Sequence, residues 1–253
     1  MPGAVVNHHQ RRAVFYQEMQ MKQKEEAKKI LQAAVAQGRL ALSEYEAKQV
    51  LAAYGVPVTR EILTKTPEEA VAAAGKLGYP VVLKACSPLL MHKSDTGLVE
   101  LGLADEKAVR SAFDRISSRL TSEADGMLVS EMVSGKRELV VGMNRDPQFG
   151  PCVMLGLGGV MTEIFKDAVF RMAPVDPIEV AEMAGSLKAA KLLNAFRGEA
   201  PADRDALYRC VIGAGRIGLD WNAVSEIDIN PVLVSADGRV KAVDALIVLN
   251  PDV

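Results

Sequence analysis

A lysine that closes an apolar strand, with a cationic, glycine-bearing loop just beyond it, is the first stretch of this chain whose residue types could do chemistry. Val81, Val82 and Leu83 read as a buried strand ending at Lys84, and Gly97 to Leu103 alternates as a second one. The loop between them carries His92, Lys93, Ser94, Asp95, Thr96 and Gly97. Two ammonium groups beside backbone N–H groups that a glycine leaves approachable suit a polyphosphate, because the cations offset oxyanion charge. By spacing alone, a snorkelling edge lysine above a solvated turn is the more economical reading.

A second cluster lies towards the C-terminal end. Glu226-Ile-Asp-Ile-Asn-Pro231 alternates strictly, so Glu226, Asp228 and Asn230 share one strand face and Ile227 and Ile229 the other. Ala236-Asp237-Gly238 reads as a three-residue hairpin loop with Gly238 in the left-handed conformation. That loop pairs Ser235 with Arg239, and counting back along both strands sets Asn230 directly opposite Asp244, with Cβ atoms roughly 5 Å apart. A two-residue loop would shift the register by one and separate them. Two carboxylates and an amide oxygen on one face form a hard-oxygen site of the kind that holds Mg²⁺ with substrate phosphates. A dication would also relieve the repulsion between the carboxylates. An exposed polar face explains the pattern as well; the phosphate-type loop elsewhere tips the reading towards metal.

Gly156-Leu157-Gly158-Gly159 follows a strand but lacks the G-x-G-x-x-G spacing, and no G-x-x-x-x-G-K-[ST] occurs, so neither a dinucleotide fold nor a P-loop is expected. These glycines either turn a hairpin or let backbone approach a ligand. Glu131 and Glu138 fall on consecutive strands and could be ordinary solvent-facing positions.

The 253 residues are 49% hydrophobic and 25% charged, with a net charge of −2 and a pI near 6.0. That is an ordinary globular composition, with no electrostatic footprint for nucleic acid. No apolar run reaches membrane-spanning length. Cys86, Cys152 and Cys210 are far apart and form no C-x-x-C pair, which speaks against a disulfide framework or a zinc site and fits a reducing cytoplasm.

The elements that must position these groups are marked by their caps. Residues 1–28 form a polar arm, loosely helical at most. Ala27, Ile30, Leu31, Ala34 and Val35 then give an amphipathic helix ending at Gly38. Ser43 with Glu46, Thr66 with Glu69, and Asp176 with Glu179 are capping boxes, and Asp105 and Asp203 are further N-caps. Strands are expected at Thr59–Leu63, Met127–Val133, Glu138–Gly142, Cys152–Leu155, Met161–Phe165, Val169–Met172, Glu226–Val234 and Val240–Leu249. The texture changes at Gly126, which suggests a first α/β subdomain over 29–125 and a second over 126–253.

Taken together, these motifs resemble a known family. Val82-Leu-Lys84, Leu90-Met-His-Lys-Ser-Asp-Thr-Gly97, Val129-Ser-Glu-Met-Val133, Gly135-Lys-Arg-Glu138, Arg145 to Pro151, Gly156-Leu-Gly-Gly159, Arg171-Met-Ala-Pro174 and Asp228-Ile-Asn-Pro231 occur in order. They are similar to the ATP-grasp part of the ADP-forming acyl-CoA synthetases, the group related to succinyl-CoA synthetase, over about residues 30–250. The resemblance implies an α+β ATP-grasp fold, two subdomains clamping a nucleotide. It implies that Lys84 and Lys93 contact ATP phosphates, that Glu131, Met132 and Val133 form the hinge reading adenine, and that Glu138 lies in the nucleotide site. Asn230 and Asp244 would hold Mg²⁺, with Asp228 close by.

His92 matches a histidine that this group uses as a phosphate carrier; a merely structural loop histidine is the competing reading. No CoA-binding domain accompanies these motifs, so the resemblance implies a CoA-binding α subunit, carrying the first phosphohistidine, in a hetero-oligomer. The expected reaction is acyl-CoA + ADP + phosphate ⇌ carboxylic acid + CoA + ATP. The alternatives are an ATP-grasp carboxylate–amine ligase, which has no use for His92, and a non-catalytic nucleotide-sensing subunit.

Overall fold

The fold was analysed in a computed structural model that describes residues 8–88, 97–120, 124–159 and 167–250, with the main chain alone for 8–20. Two antiparallel sheets organise two hydrophobic cores. The smaller sheet has the order β1 (Glu61–Thr64), β4 (Gly126–Glu131), β2 (Val81–Cys86), β3 (Val99–Leu103). Helices α3 (Pro67–Leu77) and α4 (Glu106–Arg119) cover it, and Ala70, Ala73 and Ala74 pack with Val109, Ala112, Phe113 and Ile116 over Val81, Leu83 and Val129. The alanines let α3 lie close to the sheet, and the i, i+3, i+4, i+7 spacing of the α4 set is the stripe read from its sequence.

The larger sheet runs β10 (Leu246–Leu249), β8 (Val224–Ser235), β5 (Gly135–Asp146), β6 (Gly150–Leu157), β7 (Ala168–Met172), with β9 (Val240–Ala242) paired to β8 off that path. Helices α5 (Pro177–Ser186) and α6 (Arg204–Asp220) pack on it, and so do α1 (His8–Ala36) and α2 (Glu44–Ala53).

Two boundaries need correcting. β4 lies centrally in the smaller sheet, between β1 and β2, so the division expected after residue 125 falls one strand too early. An apolar run identifies a buried strand but not the sheet that receives it. Conversely, Leu31, Ala34, Val50 and Leu51 belong to the larger core, so the smaller body is an insertion between α2 and β5. The arm expected over 1–28 is also helical from His8, as the first part of α1.

The caps are formed as expected. Ser43 and Glu46 close a reciprocal box at α2, and Asp176 and Glu179 another at α5. At α3, Thr66 accepts from the Glu69 N–H, but Glu69 reaches back to the Lys65 N–H. The C-terminal hairpin has the expected register, with Val232 opposite Ala242, Leu233 opposite Lys241 and Val234 opposite Val240. Gly238 has φ 87°, and its N–H donates to the Ser235 carbonyl at 2.9 Å. The strand expected over Val240–Leu249 divides into β9 and β10, and Asp244 lies in the break. The expected Met161–Phe165 strand lies outside the described residues.

Candidate active site

Lys84 is buried, with 5% of its surface exposed, at the centre of β2 rather than at its end. Its register with Val99 and Leu128 places it between β3 and β4. A lysine inside a sheet must be neutralised. Its Nζ donates to Glu44 Oε1 at 2.7 Å and to the Val243 carbonyl at 3.2 Å.

Glu44 is the first residue of α2 and also accepts from Lys48 Nζ at 2.9 Å. Lys48 in turn contacts Glu61 Oε2 at 2.7 Å and Thr59 Oγ1 at 3.0 Å. Ser130 Oγ donates to the same Glu61 oxygen at 3.1 Å. Burial alone would lower the Lys48 pKa, yet the Glu44 and Glu61 carboxylates outweigh it and hold the ammonium above its ordinary value. Burial, against the pull of Lys48, raises the Glu61 pKa, and its Oε1 makes no hydrogen bond; two lysines and two glutamates thus balance in formal charge behind the strand.

Sequence reasoning missed Glu44, Lys48 and Glu61. The available signal was that Glu44 and Lys48 sit on the same helical stripe as Ala47 and Leu51, at core positions. Charged residues there are candidates for a buried pair.

In front of Lys84 opens a cleft of about 280 Å³ between the two bodies. Glu131, Met132, Val133, Glu138 and Asp244 line it with Lys84. Apolar walls are added by Val82, Val99 and Leu101 from one sheet and Pro231, Leu233 and Val243 from the other. Six residues singled out in the sequence therefore share one cavity. His92 and Lys93 lie outside the described residues.

The lining groups differ in how far they are already engaged. Glu131 receives the Arg60 N–H at 2.9 Å, the Arg60 guanidinium at 2.9 Å, and the Lys241 ammonium. Burial would raise its pKa, but Lys241 and Arg60 more than compensate and hold it below the ordinary carboxylate range. Its side chain is a brace between β4, the segment before β1 and β9. The segment also brings Met132 and Val133, which join β4 to β5, to the cleft. Glu138 packs under the glycine loop. A Cβ at Gly158 would stand 2.9 Å from the Glu138 and Leu139 backbone, and one at Gly159, where φ is +70°, would stand 2.6 Å from Glu138 Oε2. Both glycines are needed for the chain leaving β6 to run this close to Glu138 and Leu139 of β5.

The acidic face is built by β8. Ile227 and Ile229 are buried while Glu226 and Asn230 are exposed and Asp228 is half-buried. The Val243 N–H donates to the Pro231 carbonyl at 3.0 Å. The same register resumes at Leu246 opposite Asp228; Asn230 and Asp244 lie in the stretch between these paired segments. The Asp244 Oδ1 accepts from the Ala245 N–H at 2.8 Å. Burial, then the Glu226 and Asp244 carboxylates, push the Asp228 pKa up. Among the described residues no three His, Cys, Asp or Glu side chains stand at metal-holding spacing. The oxygen donors here are the Asp228 and Asp244 carboxylates, whose charges act on each other, and the exposed Asn230 amide further along β8, which are of the type that a hard dication takes.

Comparison with known proteins decides the family. An ATP-grasp domain matches residues 33–249. The β subunit of acetate–CoA ligase (ADP-forming) I from Pyrococcus furiosus is 41% identical over 228 residues, covering 88% of this chain and 97% of that one. The chain belongs to the ATP-grasp β subunits of the ADP-forming CoA ligases. A 4-hydroxybutyrate–CoA ligase (ADP-forming) from Nitrosopumilus maritimus is also 41% identical, and there the match covers 85% of this chain but 32% of the longer protein.

A dinucleotide-forming acetyl-coenzyme A synthetase 1 from Ca. Korarchaeum cryptofilum, solved with coenzyme A and Ca-AMPCP, superposes with a TM-score of 0.84 at 43% identity, covering 88% and 100% of the two chains. Another structure of that synthetase contains coenzyme A and Mg-AMPPCP, with its phosphohistidine segment pointing towards the nucleotide site; it superposes at 0.78 with 42% identity, over 88% and 100%. The ATP-grasp fold and ADP-forming ligase homology expected from the motifs hold. As the subunit naming of these relatives implies, this branch works with a partner subunit. Among the described residues no helix is long and apolar enough to cross a membrane.

Proposed function

We propose that this chain is the nucleotide-binding subunit of an ADP-forming acyl-CoA synthetase, interconverting acyl-CoA, ADP and phosphate with carboxylic acid, CoA and ATP. The observation that carries the reading is the single cleft shared by Lys84, the Met132–Val133 link, Glu138 and Asp244. Its apolar slot, between Val82 and Leu101 on one side and Leu233 on the other, suits a flat base. The main chain at Met132 and Val133 supplies hydrogen-bonding edges for that base. Lys84 and Lys93 neutralise the phosphates. Asn230 and Asp244, with Asp228 beside them, would hold Mg²⁺, which when bound spreads and offsets the charge of the transferring phosphoryl group.

The acceptor in this reading is His92. A neutral imidazole nitrogen attacks the γ-phosphorus, a P–N bond forms as the bond to the β-phosphate oxygen breaks, and ADP leaves. The phosphoryl group then passes to a CoA-binding α subunit that carries the first phosphohistidine. The three cysteines form no disulfide, which suits a cytoplasmic enzyme.

Incubation with γ-labelled Mg-ATP, alone and with the α subunit, tests the reading. The expected result is acid-labile, base-stable label on the protein, lost in His92→Ala. Tight Mg-ATP binding with no label in either preparation would overturn the relay and leave direct acyl-phosphate chemistry, as in a carboxylate–amine ligase.

A further inference from the structure

Lys84 is a long, flexible side chain asked to present one ammonium at one place, and the structure contains a device that holds it there. Glu44 comes from the larger body, where α2 packs through Ala47, Val50 and Leu51. Lys84 comes from the smaller sheet. Glu44 is 1% exposed at its side chain and reaches Lys84 Nζ at 2.7 Å, while the Val243 carbonyl, also from the larger body, takes a second N–H at 3.2 Å. An ammonium has three donors. With two directions set by groups on different elements, the third is set as well, towards the cleft that Lys84 lines. We propose that Glu44 is a positioning residue for Lys84, and that the buried Lys48–Glu61 pair keeps Glu44 in place. This rests on the reading of Lys84 as a phosphate ligand.

Charge sharing explains why the device has four members. A carboxylate given to Lys84 alone would quench the charge that the phosphates need. Here Glu44 is divided between Lys84 and Lys48, and Lys48 is further shared with Glu61, at side-chain exposures of 6% or less throughout. The cluster is neutral as a whole, so it survives burial, yet the Lys84 ammonium keeps attraction to spare. Fixing the lysine in advance also removes rotamer entropy that nucleotide binding would otherwise have to overcome.

The test is calorimetric affinity of the full chain for Mg-ATP and for AMP, which lacks the β- and γ-phosphates. Lys84→Met is expected to weaken Mg-ATP about 100-fold and leave AMP unchanged. Glu44→Gln is expected to weaken Mg-ATP about tenfold, again sparing AMP, and the double variant should bind Mg-ATP no worse than Lys84→Met. Glu44→Asp keeps the buried charge and withdraws the carboxylate by one methylene, so it should fold and still lose Mg-ATP affinity selectively. Equal losses for ATP and AMP in the Glu44 variants, a Glu44 effect that adds in full to that of Lys84→Met, or unchanged ATP affinity in Glu44→Asp would each overturn the positioning role. An Mg-ATP affinity indifferent to Lys84→Met would instead overturn the phosphate reading of Lys84, and the inference with it.

Discussion

The two walls of the cleft handle charge in opposite ways. Behind Lys84, Glu44, Lys48 and Glu61 form a buried cluster in which positive and negative groups balance. On the other side of the cleft Asp244 lines it, and next to that lining Asp228 has its pKa raised by burial first and then by the Glu226 and Asp244 charges. On the first wall each carboxylate has an ammonium partner as folded, and the set serves to aim one ammonium. The second carries negative charge that a dication would settle. The difference teaches where a ligand's energy goes: on one side into a contact prepared in advance, on the other into relieving a repulsion the fold tolerates.

Removing one member from each wall should therefore give effects of opposite sign. Lys48→Met takes the contacting cation from buried Glu61 and leaves Glu44 with Lys84 alone, and should cost about 3–5 kcal/mol in denaturant unfolding; a loss under about 1 kcal/mol would mean that the cluster is more hydrated than its burial shows.

Gly159→Ala tests the seat of Glu138. It forces a side chain onto a backbone at φ +70° and against Glu138 Oε2, and should cost about 1–2 kcal/mol. Nucleotide affinity should fall with it, because Glu138 must move.

A smaller effect is expected from Glu131. Its folded pKa lies below the ordinary value of 4.5, so its stabilisation is complete above that value and is lost as the pH falls through the depressed one, since the unfolded chain takes up the proton first. Glu131→Gln should flatten the acid limb of stability against pH; an unchanged limb would remove Glu131 from that account.

Smallest, and opposite in sign, is Asp228→Asn without divalent metal, which should stabilise by roughly 0.5 kcal/mol by removing a like-charge neighbour. Destabilisation there would contradict the description of the second wall.

Much of the acidic wall was legible in the sequence because turn chemistry and strict alternation act together. Asp237-Gly238 sets the loop, the loop sets the register, and Ile227 and Ile229 decide which face is buried. The helix caps were legible for the same local reason. The wall behind Lys84 was not. Its members lie at positions 44, 48, 61 and 84, brought together only by tertiary packing, and a Glu–Lys pair four residues apart normally marks a solvated helix face. The sheet that receives β4 was hidden likewise, since the apolar run Met127–Val129 reads as a buried strand whichever sheet takes it. The resemblance to ADP-forming CoA ligases named Lys84 without revealing what holds it, and it led Glu131 to be read through its place in the hinge, whereas its carboxylate is committed to Arg60 and Lys241.

The contrast between the walls is tested most directly by the Mg²⁺ dependence of ATP affinity in the unmodified chain and in Asp244→Asn. Chelating Mg²⁺ should weaken ATP binding by about tenfold or more in the unmodified chain. Asp244→Asn should bind ATP weakly whether or not Mg²⁺ is present. An unmodified chain indifferent to Mg²⁺, or an Asp244→Asn variant that keeps the full dependence, would contradict that contrast.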